Sequence, residues 1–448
     1  MENHPNIVYL HSHDTGRYIQ PYGHAVETPN LQKLAAQGVF FRQNFSTAPT
    51  CSPSRAGLLT GMAPHNNGMT GLAHRGWRLN DYQQHLLYTL RHAGYFSALF
   101  GTQHIVAHDQ VTDIGYDLAR PGGSAEERTQ AAVEFLLDAP PQPFFAAIGF
   151  NETHRPFSAS DPNSGKLAED PRYIHPPAIL PDTPETRQDM ADFNASVQFL
   201  DTCYGRVLQS LDEAGISENT LVICTTDHGI AFPGMKCTLT DHGIGVLLIL
   251  RGPGEFSRGK VIDSLVSHLD IFPTLCDYLG LVPPPWLQGV SMMPLIRGEV
   301  DQIRNEIFAE VNYHAAYEPQ RCVRTQRYKY IRRFDGREMA VLPNCDDSLS
   351  KDAWLQAGWA ARAQPQEYLF DLVFDPQEVC SLAADTDIQP VLDEMRAKLF
   401  AWMRQTDDPL LSGPISAPPG AVANHPDAIS PDEPVWPVTQ MPNRANIS

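Results

Sequence analysis

Basic residues are scarce and scattered. The chain has 33 Lys and Arg against 52 Asp and Glu, a formal net charge of −19, and no basic run longer than Arg332-Arg333. Such a chain repels phosphate backbones and anionic lipid, which excludes nucleic acid and membrane surfaces as partners. Long apolar runs are also missing: no stretch approaches the roughly eighteen uninterrupted apolar residues that span a bilayer. The opening Met1-Glu2-Asn3-His4-Pro5 carries neither a basic nor an apolar leader region before the first strand-like run, Ile7-Val8-Tyr9-Leu10. Eight cysteines (51, 203, 224, 237, 276, 322, 345 and 380) form no CxxC pair, and several sit in apolar runs such as Leu221-Val222-Ile223-Cys224. Reduced thiols in a cytoplasmic protein are the expectation.

What is present is an ordinary globular composition, 42% hydrophobic and 19% charged, which excludes disorder for most of the chain. Strand-like runs alternate with amphipathic stretches to about residue 300. The strands expected are Ile7 to Leu10, Ser97 to Phe100, Phe144 to Phe150, Leu221 to Thr225 and Val246 to Leu250. Helices are expected over Thr28 to Gly38, with Thr28 as N-cap, Pro29 at the first position and Gly38 as the stop, and over Glu126 to Asp138 and Asp189 to Ala214. The pattern predicts an α/β domain over 1–305, with a large, mostly parallel sheet flanked by helices. Shorter polar runs then predict a smaller antiparallel α+β subdomain over 306–411 with one helix, Pro390 to Met403. Residues 412–448 are expected to form a Pro-rich extended tail with Trp436 as an apolar anchor, which either wraps its own domain or embraces a neighbouring protomer of a symmetric oligomer, the second being slightly favoured.

The most informative segment is Cys51-Ser52-Pro53-Ser54-Arg55-Ala56-Gly57-Leu58-Leu59-Thr60-Gly61. As bare chemistry it places Cys51 at the opening of a helix whose amides and Arg55 could hold an anion. Asp14 follows the first strand and Asp227-His228 a later one. All three therefore reach the carboxyl edge of a parallel sheet, where open α/β folds bind their ligands. Carboxylates and imidazoles converging there suit a divalent cation.

Cys-x-Pro-x-Arg at residues 51–55 resembles the signature of the sulfatase family, within the alkaline phosphatase superfamily. The resemblance extends in order along the chain: Pro5-Asn6-Ile7-Val8, Thr28-Pro29-Asn30-Leu31, Phe40-Phe41-Arg42-Gln43-Asn44-Phe45, Asn219 to Gly229, Asp270-Ile271-Phe272-Pro273-Thr274-Leu275, Arg327 to Ile331 and Tyr368 to Glu378. Within the family, His65-Asn66-Asn67-Gly68-Met69 and Gly229-Ile230-Ala231-Phe232-Pro233 are similar to heparan N-sulfatases. The resemblance implies that a maturase oxidises Cys51 to formylglycine, whose hydrate attacks sulfur beside one divalent metal. The ligands it implies are Asp14, Cys51, Asp227 and His228, with His13 left open.

It further implies catalytic roles for Arg55 and Lys236 in holding the charged oxygens, for His154 in protonating the leaving group, and for His104 as the base that helps to expel sulfate. His65, His74 and Gln103 are expected to face the substrate, a small-molecule or carbohydrate sulfate. Two departures stand out: His13-Asp14 where most members have two acids, and Thr102-Gln103 where a lysine commonly stands. Ca²⁺ is the metal that the resemblance implies. Two imidazoles would shift preference toward Mn²⁺ or Zn²⁺. Asp227-His228 and the missing lysine are also similar to phosphonate monoester hydrolases, so a phosphonate or phosphodiester substrate is the first rival. A sulfatase-like binding protein without turnover is the second.

Overall fold

The computed structural model describes residues 4–157 and 169–441. At its centre is a sheet of eight strands: β1 (Asn6–Ser12), β2 (Val39–Phe41), β3 (Phe96–Gly101), β4 (Leu118–Arg120), β5 (Phe144–Gly149), β6 (Thr220–Thr226), β7 (Leu248–Arg251) and β8 (Lys260–Ile262). Their order is β4-β3-β5-β1-β6-β7-β2-β8. Only β7 runs against its neighbours; the other pairings are parallel, as the alternating pattern predicts.

Both faces of this sheet are covered, which is why its strands read as continuous apolar runs. Val8 and Leu10 of β1 join one core with helices α1 (Pro29–Gln37), α3 (Ala125–Leu137) and α4 (Pro184–Glu213). Ile7 and Tyr9 point the other way, into a core that includes Ala56, Leu58 and Leu59 of α2 (Cys51–Thr60). Both helix ends fall where the sequence places them. Thr28 is the N-cap residue of α1, with Pro29 at its first position, but its hydroxyl accepts from Gln20 N at 3.0 Å and makes no bond to the helix amides. Gly38 does follow α1, yet with φ −112 it makes no left-handed turn. A β-carbon there would stand 2.3 Å from Leu250 O, so the close approach of β7 is what requires glycine.

The C-terminal sheet is antiparallel: β9 (Glu306–Tyr313), β10 (Tyr317–Thr325), β11 (Tyr328–Arg333) and β12 (Glu367–Asp371). Its inner face, including Ile307, Ala309, Val311 and Ile331, packs on Phe45, Leu239, Ile244 and Leu265 of the large unit. Leu392, Met395, Leu399 and Met403 cover its outer face, from α6 (Gln389–Gln405). Between β11 and β12 lies α5 (Leu349–Gln356), a helix that the sequence reading does not include; it is tied to α4 by Ser350 Oγ donating to Asp189.

The tail is anchored differently from the expectation. Ile415, Ala421 and Ala423 are buried in the same core as α2, and Tyr313 Oη donates to Ile415 O at 3.2 Å. Trp436 is only half-buried, opposite Ala423 in a hairpin of β13 (Val422–Asn424) and β14 (Val435–Pro437). Residues 442–448 lie outside the described residues. All eight cysteines are free and seven are buried. Among the described residues, no helix is long and apolar enough to cross a membrane.

Candidate active site

Strand register brings the candidate residues together. Ser12 of β1 pairs with Thr226 of β6, His11 pairs with Gly149 of β5, and Gly149 pairs with Gly101 of β3. The segments that leave these strand ends, His13-Asp14, Asp227-His228, Thr102 to His104 and Asn151 to His154, therefore emerge at one sheet edge. Helix α2 delivers Cys51 to the same edge. It is buried along its whole length and tied there by Ser54 Oγ donating to Asp227 O.

Ligand atoms of His13, Asp14, Cys51, Asp227 and His228 all lie within 4.8 Å of one another, and all five residues are buried. His13 Nδ1 is 2.8 Å from Asp14 Oδ1 and 3.2 Å from Asp227 Oδ2. His228 Nε2 is 3.2 Å from Asp14 Oδ1 and 3.3 Å from Cys51 Sγ. Burial alone would raise the pKa of both carboxylates, but neighbouring charge reverses this. Lys236 and His228 hold Asp14 well below the usual range, and His13, His228 and Arg55 do the same for Asp227. Burial pushes His13 down to about 4 against the pull of Asp227, so its ring is neutral and able to coordinate. Two ionised carboxylates and two imidazoles could hold a divalent ion, and His13 stands among these candidate ligands.

Two cations flank the cluster in different roles. Lys236 Nζ donates to Asp14 Oδ2 at 2.8 Å, forms an ion pair with Asp346 Oδ2 at 2.9 Å, and lies 3.4 Å from His154 Nε2. Arg55 is turned inward, to Asp227 Oδ2 at 3.0 Å, Ser12 O at 2.8 Å and the His11 ring. Arg55 thus positions a ligand carboxylate and the end of β1, a correction to its expected grip on substrate oxygens. His104 is also one ring removed from Cys51. Its Nδ1 faces His13 Nε2 at 3.3 Å and its Nε2 faces His74 Nδ1 at 3.1 Å, with the His74 and His104 rings stacked. The histidine against the Cys51 sulfur is His228.

A pocket of about 660 Å³ opens over this edge, lined by His13, His74, His104 and His154. The structure corrects two of the expected substrate contacts. Gln103 borders the pocket but spends its amide on its own loop, accepting from Ile105 N and Val106 N and donating to Val106 O. His65 is absent from the lining: it bonds Glu310 and packs edge-on against Trp402. The stretch 107–125 contributes His108, Val111, Pro121 and Gly122 to the lining. Asp346, the second partner of Lys236, is the functional residue that sequence reasoning missed. It comes from the C-terminal subdomain, in a polar stretch with no motif of its own.

The sulfatase family model matches residues 5–281, more than half of the chain. The chain belongs to the sulfatase family. It is therefore a hydrolase of the sulfatase class. A second model, described as the C-terminal part of N-sulphoglucosamine sulphohydrolase, matches residues 235–347 and ends just past Asp346. This sulfatase is 28% identical to human N-sulphoglucosamine sulphohydrolase over 464 aligned residues, covering 91% of this chain and 92% of that one. It is also 28% identical to an ulvan-active sulfatase of Formosa agariphila, covering 90% and 75%. Among solved structures, one determined in complex with its substrate D-glucosamine-2-N,6-O-disulfate superposes with a TM-score of 0.71 at 18% identity, covering 90% and 98%. The phosphonate monoester hydrolase of Agrobacterium radiobacter superposes with a TM-score of 0.67 at 24% identity, covering 93% and 100%. At these identities the two superpositions establish the fold.

Proposed function

We propose that this sulfatase hydrolyses a sulfate ester or sulfamate of a carbohydrate, using residue 51 as formylglycine beside one divalent ion. The observation that carries the reading is the convergence of Cys51, at the start of a buried helix in the maturation signature, with four candidate metal ligands. The named relatives, a sulphoglucosamine sulphohydrolase and an ulvan-active sulfatase, support a sulfated sugar as substrate. An unmodified Cys51 is a poor nucleophile, since burial raises its thiol pKa well above the usual value even though Lys236 opposes the shift. Conversion to a hydrated aldehyde removes that obstacle, and His13, Asp14, Asp227 and His228 would hold the ion that supplies positive charge to it.

The remaining steps belong to the chain's own side chains. Lys236, held between Asp14 and Asp346, presents its ammonium beside His154, where negative charge collects on the transferring group and the departing atom. His154 borders the pocket and gives a proton to the departing oxygen or nitrogen, so the organic part leaves neutral. His104 keeps the role that the resemblance gives it, the base whose uptake of a proton from residue 51 accompanies cleavage of the bond to sulfate, and His74, 3.1 Å from its Nε2, would carry that proton on toward the pocket.

The test is the intact mass of the peptide containing residue 51 after co-expression with a maturase, together with turnover of sulfated sugars. An aldehyde in place of the thiol, and loss of turnover in Cys51→Ala but not in Cys224→Ala, are expected. An unmodified thiol in protein that still hydrolyses sulfate would refute the formylglycine reading. Thr102, tied to Asn151 where a lysine commonly stands, favours a phosphonate monoester as the second reading. A higher kcat/KM on an aryl phosphonate than on the matching aryl sulfate would establish it.

A further inference from the structure

The pocket over His13 and His154 continues away from Cys51 to a guanidinium that the chemistry above leaves unused. Arg128 stands in the first turns of α3, whose N-terminus is closed by a capping box of Ser124 and Glu127. Its side chain passes over Gly101 at the end of β3. A β-carbon there would stand 2.3 Å from Gly149 O and 2.5 Å from Arg128 Cδ, and Gly101 has φ +80. Glycine at this position thus makes room for the arginine to enter the pocket wall.

Arg128 is only 5% exposed, yet its donors are largely unspent. Among the described residues, its one hydrogen bond runs from Nε to Gly122 O at 2.9 Å, and the buried Nη1 has no partner. Glu152 is near enough to favour its charge, but forms no ion pair with it. A buried guanidinium with unmade hydrogen bonds is costly, and an incoming oxyanion would supply them. The other arginine in the lining is already taken: Arg155 holds Asp189 through two bonds of 2.6 and 2.7 Å. Near Thr102, which replaces the lysine common in the family, Arg128 is the lining cation with donors to spare.

We infer that Arg128 receives a second anionic group of the substrate, an oxyanion on the same sugar or on its neighbour, and so sets specificity for multiply charged saccharides. This rests on the carbohydrate-sulfatase reading. The pocket supports it by its size, about 660 Å³, which is room for a saccharide, and by running unbroken from the catalytic histidines to Arg128. The fork of a guanidinium suits both a carboxylate and a second sulfate.

The test compares matured, metal-loaded full-length enzyme on three probes: N-sulfoglucosamine, glucosamine-2-N,6-O-disulfate, and N-sulfoglucosamine linked to a uronate. At least one doubly charged sugar should be preferred by roughly ten- to hundredfold in kcat/KM, the range expected of a hydrogen-bonded charge pair. Which sugar is preferred tells sulfate from carboxylate. In Arg128→Met that preference collapses through KM, and Arg128→Lys restores part of it. Equal loss on singly and doubly charged sugars, or an unchanged preference, overturns the inference. Calorimetric binding of the same probes to metal-loaded Cys51→Ala, with and without Arg128→Met, decides the role of Arg128 independently of turnover. If wild-type enzyme hydrolyses none of the sugars while the variant pair shows the binding difference, the functional reading fails and the anion site stands.

Discussion

Removing Arg55 tests whether the cluster is held together by charge. Arg55→Met keeps a long apolar stem in a fully enclosed site, so little cavity forms. What disappears is the guanidinium at 3.0 Å from Asp227 Oδ2 and the bond that pins Ser12 O. Asp227 has no solvent to turn to, and breaking a buried pair from one side costs about 3–5 kcal/mol. For a chain of 448 residues, unfolding entropy near 60 °C scales so that this lowers Tm by about 3–5 °C. Scanning calorimetry at one fixed rate should show the drop in chelator-treated protein, and a smaller one with saturating Mn²⁺, whose charge replaces part of what was lost. The decisive variant is Arg55→Met/Asp227→Asn. Without the orphaned carboxylate it should be more stable than the sum of the single variants allows. Strict additivity, or an Arg55→Met protein within a degree of wild type, would refute the reasoning.

Further expectations concern the metal, acid stability and the tail. Metal-free protein should bind Mn²⁺ or Zn²⁺ more tightly than Ca²⁺ by competition calorimetry, and His13→Asp should move the preference toward Ca²⁺; tighter Ca²⁺ binding by wild type would remove His13 from the ligand set. His85 is buried with its pKa pushed down to about 3, and its Nδ1 accepts from Leu87 N. A ring kept neutral in the fold takes up a proton only on unfolding, so its contribution is complete above about pH 6.5 and lost as pH falls toward 3. Urea midpoints should show about 2 kcal/mol less stability at pH 5 from this group, absent in His85→Gln; parallel pH profiles would reject it. Deleting 412–448 should destabilise the monomer by stripping Ile415, Ala421 and Ala423 from the core, and a truncated protein of unchanged Tm but lower mass by light scattering would show that the tail serves assembly instead.

Much of the fold follows from local sequence. Uniform apolar runs marked the central strands because both sheet faces are covered, and Cys51, Asp14 and Asp227 were legible because each sits at a fixed offset from a strand end or helix start. Lys236, His154 and His104 came with the family resemblance; the two histidines line the pocket, and Lys236 stands 3.4 Å from His154. Other residues escaped for a shared reason. Asp346 and Arg128 acquire their roles from packing between elements far apart in sequence, with no periodicity or spacing to mark them. His65 lies close enough in sequence to the signature helix to suggest a substrate contact, but β9 draws it to Glu310 instead. Gln103 follows β3 like its neighbours, and its amide closes the loop that aims His104.

The placement of Ile415 and Ala423 beside the α2 core bears on the order of events in synthesis. Ile415, Ala421 and Ala423 belong to the same apolar core as Ala56, Leu58 and Leu59 of α2, so that core is complete only after these later residues have been made. Any protein that must handle residue 51, which is 1% exposed in the finished fold, has to reach it while the chain is still incomplete. The interval is long, since more than 350 residues separate Cys51 from the tail segment that completes the core behind its helix. A variant that hastened this closure, or a circular permutant that presented residues 412–441 first, would shorten the interval. It could yield a well-folded protein that is chemically inert, in which the stability of the product and the fraction of it that works move in opposite directions.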